Sequence, residues 1–373
     1  MKKILVPLVN RTNYSKLRPV LQNLHKRTNI TIVLSSSAAL KDYGNIRDDV
    51  EKDGFYKKII VSDSCLRSDS HVSMNKNIAL SMIQGSILLE QEQPDLVLIV
   101  GDRFDMLPHV ISSAIQNVPI AHIQGGERSG TIDDKIRFAI TALSDYHFPA
   151  THESTQTVIR AGADPNKVYN YGCPAVEHIN KLSDSTKFKF DDLEKYSKRS
   201  LKKLKKANQY ILVQVHPNTV EGADVNMKEL LSALEAIDMP SIILYPNIDA
   251  TSSQIMEDMR KYRQIEKFYY YKHFSLETFV GLMKNCECFI GNSSSIIRES
   301  ALFRTPAINL GTRQRLRESN NNVFDCDFNK NNILELFYSL IDKKFDKNNV
   351  YYKKNSAKMI ADEILGILLG DKK

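Results

Sequence analysis

The chain alternates short apolar runs with longer segments whose apolar residues recur at helical spacing. The first run, residues 3–9, reads Lys-Ile-Leu-Val-Pro-Leu-Val, and the segment behind it places Leu17, Val20, Leu21 and Leu24 on one face. Continuous apolar runs are typical of parallel strands, which are buried on both faces of a sheet. The alternation therefore predicts a doubly wound α/β fold.

Two such alternations follow each other along the chain. The predicted strands of the first are 3–9, 30–34, 58–61, 95–100, 118–123 and 168–171, with helices at 78–92, 109–116, 134–143 and 153–161. The predicted strands of the second are 210–215, 241–245, 268–271, 288–290 and 307–310, with helices at 225–237, 252–262, 276–285 and 295–303. Ligands bind outside the carboxyl ends of strands in such sheets, so each loop after a strand is a candidate site.

A lysine-rich segment, 181–206, separates the two alternations. It also contains acidic residues, and this mixture of charges is typical of a solvated helical linker. At 373 residues the chain is long enough for two separate cores. We therefore predict two Rossmann-like domains, 1–180 and 181–350, that face each other across a cleft. The amphipathic segment at the end of the chain predicts a helix within 351–373 that packs back on the first domain.

Composition and charge exclude several classes of protein. The net charge of +7 is accompanied by no nucleic-acid motif and no basic stripe interleaved with aromatic residues, so we predict no nucleic-acid partner. The five cysteines lack the spacing of metal ligands, and their odd number is typical of a reducing compartment. The N-terminus runs directly into a strand, and no apolar run reaches the roughly 18 residues that a membrane helix needs. These features predict a cytoplasmic protein without a metal site or a membrane partner.

The stretch 286–299 combines several features of an anion site. A strand-like run leads into Gly291, and a serine run follows as a helix cap, so that free backbone N–H groups and the positive end of the helix dipole would face a ligand. The hydroxyls of Ser293 and Ser294 would add donors for a diphosphate, and Glu299 could bind the two hydroxyls of a ribose. An ordinary capped helix is the simpler interpretation of a lone serine run. We favour a nucleotide-diphosphate site because anion-binding groups recur at other strand ends.

Those other groups follow strands in both halves of the chain. Asp102 and Arg103 come directly after the strand 95–100 and form a candidate acid/base and anion-binding pair, although a loop ion pair explains this segment equally well. Groups suited to phosphate or sugar also follow strands elsewhere in the chain, namely Arg11, His216 and Arg313.

The longest motif, residues 122–134, reads His-Ile-Gln-Gly-Gly-Glu-Arg-Ser-Gly-Thr-Ile-Asp-Asp. Its glycine pair allows the backbone to approach a ligand closely. Asp133 and Asp134 open the following helix, where they could also serve as simple caps. His122 lies among isoleucines of a strand, which favours a buried core histidine over a catalyst.

Taken together, these motifs resemble the hydrolysing UDP-N-acetylglucosamine 2-epimerases of sialic acid biosynthesis. The resemblance runs from residue 3 to about 345 and also includes Tyr-Pro-Asn-Ile-Asp at 245–249 and Ile-Asn-Leu-Gly-Thr-Arg-Gln at 308–314. Residues 10–17 most resemble the epimerase half of the animal bifunctional epimerase/kinase. The resemblance implies a glycosyltransferase-B-type fold, with most sugar-handling residues in the N-terminal domain and the nucleotide in the C-terminal one.

The family's reaction converts UDP-N-acetylglucosamine and water to UDP and free N-acetylmannosamine. A base removes the proton at C2 while UDP leaves C1, water then adds at C1, and a proton returns to C2 on the opposite face. This chemistry needs carboxyl groups near C1 and C2 and cationic groups for the departing diphosphate, and it requires no metal or redox cofactor.

The resemblance assigns residues to both tasks. It implies catalytic roles for Asp102, Asp133 and the neighbouring Asp134, and places Gln124, Glu127 and His216 in the same group. It implies nucleotide contacts for Arg11, Ser15, Arg103, His216, Asn247, Ser293, Ser294, Glu299 and Arg313. The implied partners are a UDP-linked N-acetylhexosamine and further copies of the chain in a dimer or tetramer.

The chain departs from the family at several of these positions. Gln124 stands where the family has glutamate, and its amide is a very poor base. Asn13, Phe138 and Asp145 are further departures, which we expect to cluster near the sugar. The alternatives are therefore an altered sugar such as a 2,4-diacetamido-6-deoxy hexose, a non-catalytic nucleotide-sugar binder, or a non-hydrolysing 2-epimerase. A glycosyltransferase is the weakest alternative because no acceptor site is indicated.

Overall fold

The computed structural model describes residues 1–40, 46–62, 66, 71–130, 132–197, 199–218, 225–246 and 252–370. The chain divides into two compact units. The first unit comprises Met1–Arg128, Ile132–His178 and Tyr351–Lys373, and the second comprises Ser129–Thr131 and Ile179–Val350. Each unit contains one six-stranded sheet whose strand pairs are all parallel. The prediction of two doubly wound α/β sheets is confirmed.

The first unit has the sheet order β3-β2-β1-β4-β5-β6. Its strands are β1 (Lys3–Leu8), β2 (Asn29–Leu34), β3 (Lys58–Val61), β4 (Leu96–Val100), β5 (Ile120–Ile123) and β6 (Tyr146–Phe148). Its helices are α1 (Arg11–Leu24), α2 (Ile46–Asp53), α3 (His71–Glu92), α4 (Leu107–Ile115), α5 (Ile132–Leu143), α6 (His152–Arg160) and α14 (Ser356–Leu369). Helix α7 (Pro174–Ser185) begins in this unit and ends in the second.

The second unit repeats the same topology, with the order β9-β8-β7-β10-β11-β12. Its strands are β7 (Ile211–Gln214), β8 (Ser241–Leu244), β9 (Phe268–Tyr271), β10 (Cys288–Gly291), β11 (Ala307–Leu310) and β12 (Val323–Cys326). Its helices are α8 (Lys202–Ala207), α9 (Met227–Ala236), α10 (Ser252–Lys261), α11 (Leu276–Asn285), α12 (Ser294–Arg298) and α13 (Lys330–Leu340).

Helix α14 completes the core of the first unit. Its apolar face, including Ile360 and Ile364, is fully buried against residues of α1 such as Leu17. Each buried aliphatic side chain contributes about 1.5–3 kcal/mol of transfer free energy. The carboxylate of Glu177 in α7 fixes the start of α14, because it accepts hydrogen bonds from the backbone N–H groups of Asn355 (3.0 Å) and Ala357 (3.1 Å).

Two element predictions were wrong. Residues 168–171 form no strand; Val168 makes a single bridge to His147, and the short strand β6 occupies the edge instead. The apolar character of this segment comes from tyrosines that pack from a loop, since Tyr169 stacks on Phe148 at 5.5 Å between ring centroids. The predicted helix 295–303 is split, with α12 followed by a 3-10 helix at Ser300–Phe303. Among the described helices, none is long and apolar enough to span a membrane.

Candidate active site

The strand order of each sheet reverses at one place, between β1 and β4 in the first unit and between β7 and β10 in the second. Loops that follow neighbouring strands diverge there and leave a crevice at the carboxyl edge, which is where open α/β sheets bind ligands. The predicted site residues of both units follow strands at or beside these positions.

Arg137 organises the first carboxyl edge. This arginine of α5 is only 1% exposed, and its guanidinium donates hydrogen bonds to the carboxylates of Asp102 and Asp134 and to the backbone carbonyl of Glu127. The Arg137 Nη1 to Asp134 Oδ1 distance is 2.7 Å. Asp102 follows β4, and Asp134 lies in the first turn of α5 beside Asp133. Arg137 thus brings Asp102, which lies 35 positions earlier in the chain, to the start of α5.

Burial and charge act in opposite directions on this arginine. Burial disfavours the charged guanidinium, but the carboxylates of Asp102 and Asp134 outweigh that effect and raise the pKa of Arg137 above its ordinary value. Arg137 is therefore a permanent buried cation. Arg137 is absent from the predicted site residues, although Asp134 and Arg137 are three residues apart on a helix and such pairs share one face.

A second ion pair shapes the loop after β4. Arg103 is one-third exposed and donates from Nε to Asp105 at 3.2 Å. Asp105 is 4% exposed and also accepts a hydrogen bond from the Ser36 hydroxyl at 2.9 Å. The loop ion pair that was one interpretation of this segment is thus present. The ion pair with Asp105 engages the Nε atom of Arg103.

The segment that follows β5 is packed too tightly for side chains at its glycines. A Cβ at Gly125 would lie 2.9 Å from Nδ1 of His122, and one at Gly126 would lie 2.2 Å from the carbonyl oxygen of Ser154. Gly126 also has φ +79°, a conformation that L side chains rarely adopt. The two glycines therefore serve close packing of the backbone against the protein itself.

His122 is the core histidine that the sequence indicates. Its ring is fully buried, and Nε2 donates to the carbonyl of Gly101 at 2.9 Å. Burial lowers the pKa of His122 to about 4, so the ring is neutral at physiological pH. Asp145, in contrast, lies at the amino ends of the strands, directly before β6. Its carboxylate accepts a hydrogen bond from the backbone N–H of Ile120, the first residue of β5, at 2.8 Å. The expectation that this departure lies near the sugar site is wrong.

The start of α1 lies at the carboxyl edge of the first sheet, the edge that also carries Asp102. Asn13 is 3% exposed, accepts hydrogen bonds from the backbone N–H groups of Val9 and Asn10, and donates to the carbonyl of Val100 at 3.3 Å. It thereby ties the end of β1 to the end of β4. Ser15 lies on the exposed face of α1, where its hydroxyl donates to the carbonyl of Thr12. Arg11 is the first residue of α1, and its side chain lies outside the described parts of the chain.

Asn292 organises the second carboxyl edge. Its side chain accepts from the backbone N–H of His216 at 2.7 Å and donates to the carbonyl of the same residue at 2.9 Å. Its own backbone carbonyl accepts from Arg313 Nη1 at 3.0 Å and from Gln314 Nε2 at 3.3 Å. One asparagine, 1% exposed, thus joins the loops that follow β7, β10 and β11. Asn292 lies within the stretch 286–299, but the sequence alone does not reveal this role.

The serine run lies directly after Asn292. Ser293 caps α12 by accepting from the N–H of Ser295, and Ser294 begins the helix. Glu299, at the end of α12, is 8% exposed. The structure therefore brings His216, Ser293 and Arg313 together around Asn292. Asn247 lies outside the described residues.

Among the described residues, no group of three or more His, Cys, Asp or Glu side chains is arranged to hold a metal ion. Each carboxyl edge instead has one buried polar residue as its centre, Arg137 in the first unit and Asn292 in the second. The first arrangement can hold and orient carboxylates for proton transfer. The second offers hydroxyls, a histidine and an arginine, which suit an anionic ligand.

Comparison with known proteins is consistent with this arrangement. The family model for UDP-N-acetylglucosamine 2-epimerases matches residues 22–365. The chain is 32% identical to the UDP-N,N'-diacetylbacillosamine 2-epimerase (hydrolyzing) of Legionella pneumophila, covering 94% of this chain and 92% of that protein. It is 30% identical to the polysialic acid biosynthesis protein P7 of Escherichia coli, over 95% and 92% of the two chains.

Solved structures show a similar fold. The UDP-GlcNAc 2-epimerase of Methanocaldococcus jannaschii, in complex with UDP-GlcNAc and UDP, aligns over 97% of this chain and 99% of its own, with a TM-score of 0.79 and 17% identity. The UDP-GlcNAc 2-epimerase from Neisseria meningitidis bound to UDP-GlcNAc also gives a TM-score of 0.79, at 16% identity.

Proposed function

Because the chain belongs to the UDP-N-acetylglucosamine 2-epimerase family, we propose that it is a hydrolysing nucleotide-sugar 2-epimerase. The substrate is a UDP-linked N-acetylhexosamine, either UDP-N-acetylglucosamine or a 2,4-diacetamido-6-deoxy analogue. The products are UDP and the free 2-epimer. The observation that carries the proposal is the pairing of Asp102 and Asp134 on the buried cation Arg137 at the carboxyl edge of the first sheet.

The reaction proceeds in two stages. A carboxylate of the Asp102, Asp133 and Asp134 group removes the proton from C2, the C2–H electrons form a C1–C2 double bond, and the C1–O bond breaks to release UDP. Water then adds its oxygen to C1, and C2 accepts a proton on the opposite face. Arg137 holds two of the carboxylates in fixed positions, which is the contribution of pre-organised geometry to the rate.

The second unit provides most of the nucleotide contacts in this proposal. Ser293, Ser294, His216 and Arg313 bind the diphosphate, and Glu299 binds the ribose. Oxygen atoms of a diphosphate accept charge-assisted hydrogen bonds from such groups, and the same contacts stabilise the charge that develops as UDP leaves. The other predicted nucleotide contacts are Arg11, Ser15, Arg103 and Asn247. In this proposal the sugar-binding part of the site also includes Gln124 and Glu127.

The sugar is identified by comparing donors. We expect release of free UDP from UDP-N-acetylglucosamine or from the UDP-linked 2,4-diacetamido-6-deoxy hexose, measured as initial rates with both. The diacetamido donor is included because the relative from Legionella is named for diacetylbacillosamine. Binding of UDP without release of UDP from either donor would instead identify a non-catalytic nucleotide-sugar binder.

Replacing Asn292 with aspartate is expected to weaken binding of UDP by roughly tenfold. The carboxylate would keep the acceptor for the His216 N–H but would place a second oxygen against the His216 carbonyl, leaving a buried group unsatisfied at a cost of about 1–3 kcal/mol. Calorimetric titration with UDP measures the change. Asn285→Asp is the matched control, since that exposed amide donates to the Gly281 carbonyl of α11. Unchanged UDP affinity in Asn292→Asp would contradict the assignment of this edge.

We further propose that the chain forms a homo-oligomer through α3. This helix carries exposed isoleucines at Ile83 (58% exposed) and Ile87 (44%), and the neighbouring end of α4 exposes Ile115 (73%). Apolar residues grouped on one surface mark an interaction site more often than scattered ones do.

The double variant Ile83→Glu/Ile87→Glu is expected to be a monomer, because burying two carboxylates in an apolar interface is unfavourable. Light scattering coupled to size-exclusion chromatography measures the mass. Tyr338→Glu, which changes a lone exposed ring on α13 (57% exposed), is expected to retain the parent mass. An unchanged oligomer in the double variant would place the interface elsewhere.

A further inference from the structure

Gln124 has a backbone conformation that favours glycine. It directly follows β5 and has φ +65°, in the left-handed region that residues with a Cβ seldom occupy. It is nevertheless a long polar residue and only 2% exposed. Two glycines follow it directly. A buried, non-glycine residue in a conformation that favours glycine indicates that its side chain has a role.

Among the residues that the structure describes, the Gln124 side chain hydrogen-bonds to a cysteine from another part of the chain. Its Nε2 donates to Sγ of Cys173 at 3.1 Å, and Cys173 is fully buried. The backbone N–H of Cys173 donates to the carbonyl of Tyr351 at 2.8 Å, which fixes its place before α7. The other polar atom of the amide, Oε1, is enclosed and has no donor among the described residues. These enclosed surroundings offer no hydrogen-bond donor to Oε1 among the described residues, so a charged carboxylate would be disfavoured there and a neutral side chain is suited to the position.

The same residue fixes one end of the loop that reaches Arg137. The Gln124 backbone N–H donates to the Phe148 carbonyl at 3.0 Å. The loop then packs Gly126 against Ser154 and ends at Glu127, whose carbonyl accepts from Arg137. A displacement of Gln124 would therefore move the Glu127 carbonyl. This carbonyl is a hydrogen-bond partner of Arg137, which holds both aspartates.

We propose that Gln124 and Cys173 form a neutral anchor that makes Gln124 a positioning residue for the Arg137 cluster, in place of a base. Proton transfer then belongs to the aspartates alone. This inference rests on the proposed function for its effect on turnover, whereas the neutral character of the anchor can be tested without activity.

Gln124→Gly is the first test. The variant relieves the backbone of its unfavourable conformation, so its melting temperature is expected to equal or exceed that of the parent, while kcat falls about 10- to 100-fold through misplacement of the reacting groups. Cys173→Ala is also expected to lower kcat, and Cys173→Ser is expected to retain more of the parental kcat than Cys173→Ala does. In the double variant the two effects should not add, because they break one contact. A parental kcat in Gln124→Gly would overturn the proposal.

Gln124→Glu tests the neutral character through stability. Burial raises the pKa of a glutamate above its usual value of about 4.3, so the variant is expected to match the parent at about pH 4 and to lose stability as the pH rises from there toward 8. A loss of at least about 5 °C in melting temperature over that range is expected. Gln116→Glu, at an exposed amide on the end of α4, should show no such loss.

The outcomes separate the two proposals. If neither donor releases UDP with the parent protein, the proposed function fails, and the pH series of Gln124→Glu still decides whether the anchor is neutral. A pH-independent melting temperature in Gln124→Glu, or a higher kcat than that of the parent, would show that position 124 accommodates a working carboxylate and would overturn the anchor.

Discussion

Replacing Arg137 with methionine is expected to abolish turnover while leaving UDP binding intact. The variant leaves the carboxylates of Asp102 and Asp134 without the buried cation that joins them, and the Glu127 carbonyl without its donor. Loss of one oriented donor in an active site typically lowers kcat by about 10²–10³-fold, and here three contacts are lost at once. UDP affinity is expected to be largely retained because the proposed diphosphate and ribose groups Ser293, Ser294, Arg313 and Glu299 lie in the second unit.

Two further variants separate charge from geometry. Arg137→Lys keeps the positive charge but cannot reach two carboxylates with a planar fork, so it is expected to recover only a small part of kcat. Arg27→Met is the control, since Arg27 pairs with Asp362 on an exposed surface, where ion pairs contribute less than about 1 kcal/mol. Initial rates of UDP release and calorimetric UDP binding are measured for all three. A kcat within threefold of the parent for Arg137→Met would remove the cluster from the mechanism.

Replacing Gly291 with alanine is expected to disrupt the second unit. Gly291 ends β10 with φ +148°, and a Cβ there would lie 2.0 Å from the carbonyl oxygen of Gln214 in β7. Strands β7 and β10 cannot separate without displacing the Asn292 N–H, which donates to that carbonyl at 3.1 Å. We expect a loss of about 2–5 kcal/mol in stability, from strain and overpacking together, and loss of UDP binding.

Gly162→Ala isolates the contribution of the backbone conformation alone. Gly162 has φ +103°, and nothing lies within 4 Å of its Cβ position, so only conformational strain of about 1 kcal/mol is expected there. Thermal unfolding and UDP titration of both variants measure the difference. If Gly291→Ala unfolds and binds UDP as Gly162→Ala does, the close approach of β7 and β10 is not essential to the site.

The sequence predicts most of the two sheets because most of their parallel strands are continuous apolar runs, and several of these runs are followed by a predicted site residue. Asp102 after β4 and His216 after β7 follow from that pattern alone. The strand that was predicted at 168–171 is not formed, and this shows the limit of the pattern. Tyr169 and its neighbours pack against the protein from a loop, which also requires apolar residues. Local composition cannot distinguish these two uses of apolar residues.

The centres of the two edges were not predicted because their roles depend on distant contacts. Arg137 reads as an ordinary helical arginine until Asp102, 35 residues earlier, is placed beside it. Asn292 joins loops whose other members are 76 and 21 residues away in the chain. Cys173 lies 49 residues from Gln124. Such contacts require the fold.

The most direct test of the proposed reaction is proton and phosphorus NMR of the protein with the preferred UDP-sugar in deuterated water. We predict release of UDP together with a free 2-epimeric sugar that carries deuterium at C2, because the C2 proton is lost and a solvent deuteron is returned on the opposite face. A UDP-linked 2-epimer would instead identify a non-hydrolysing enzyme. Intact UDP-sugar after prolonged incubation with both donors would contradict the account.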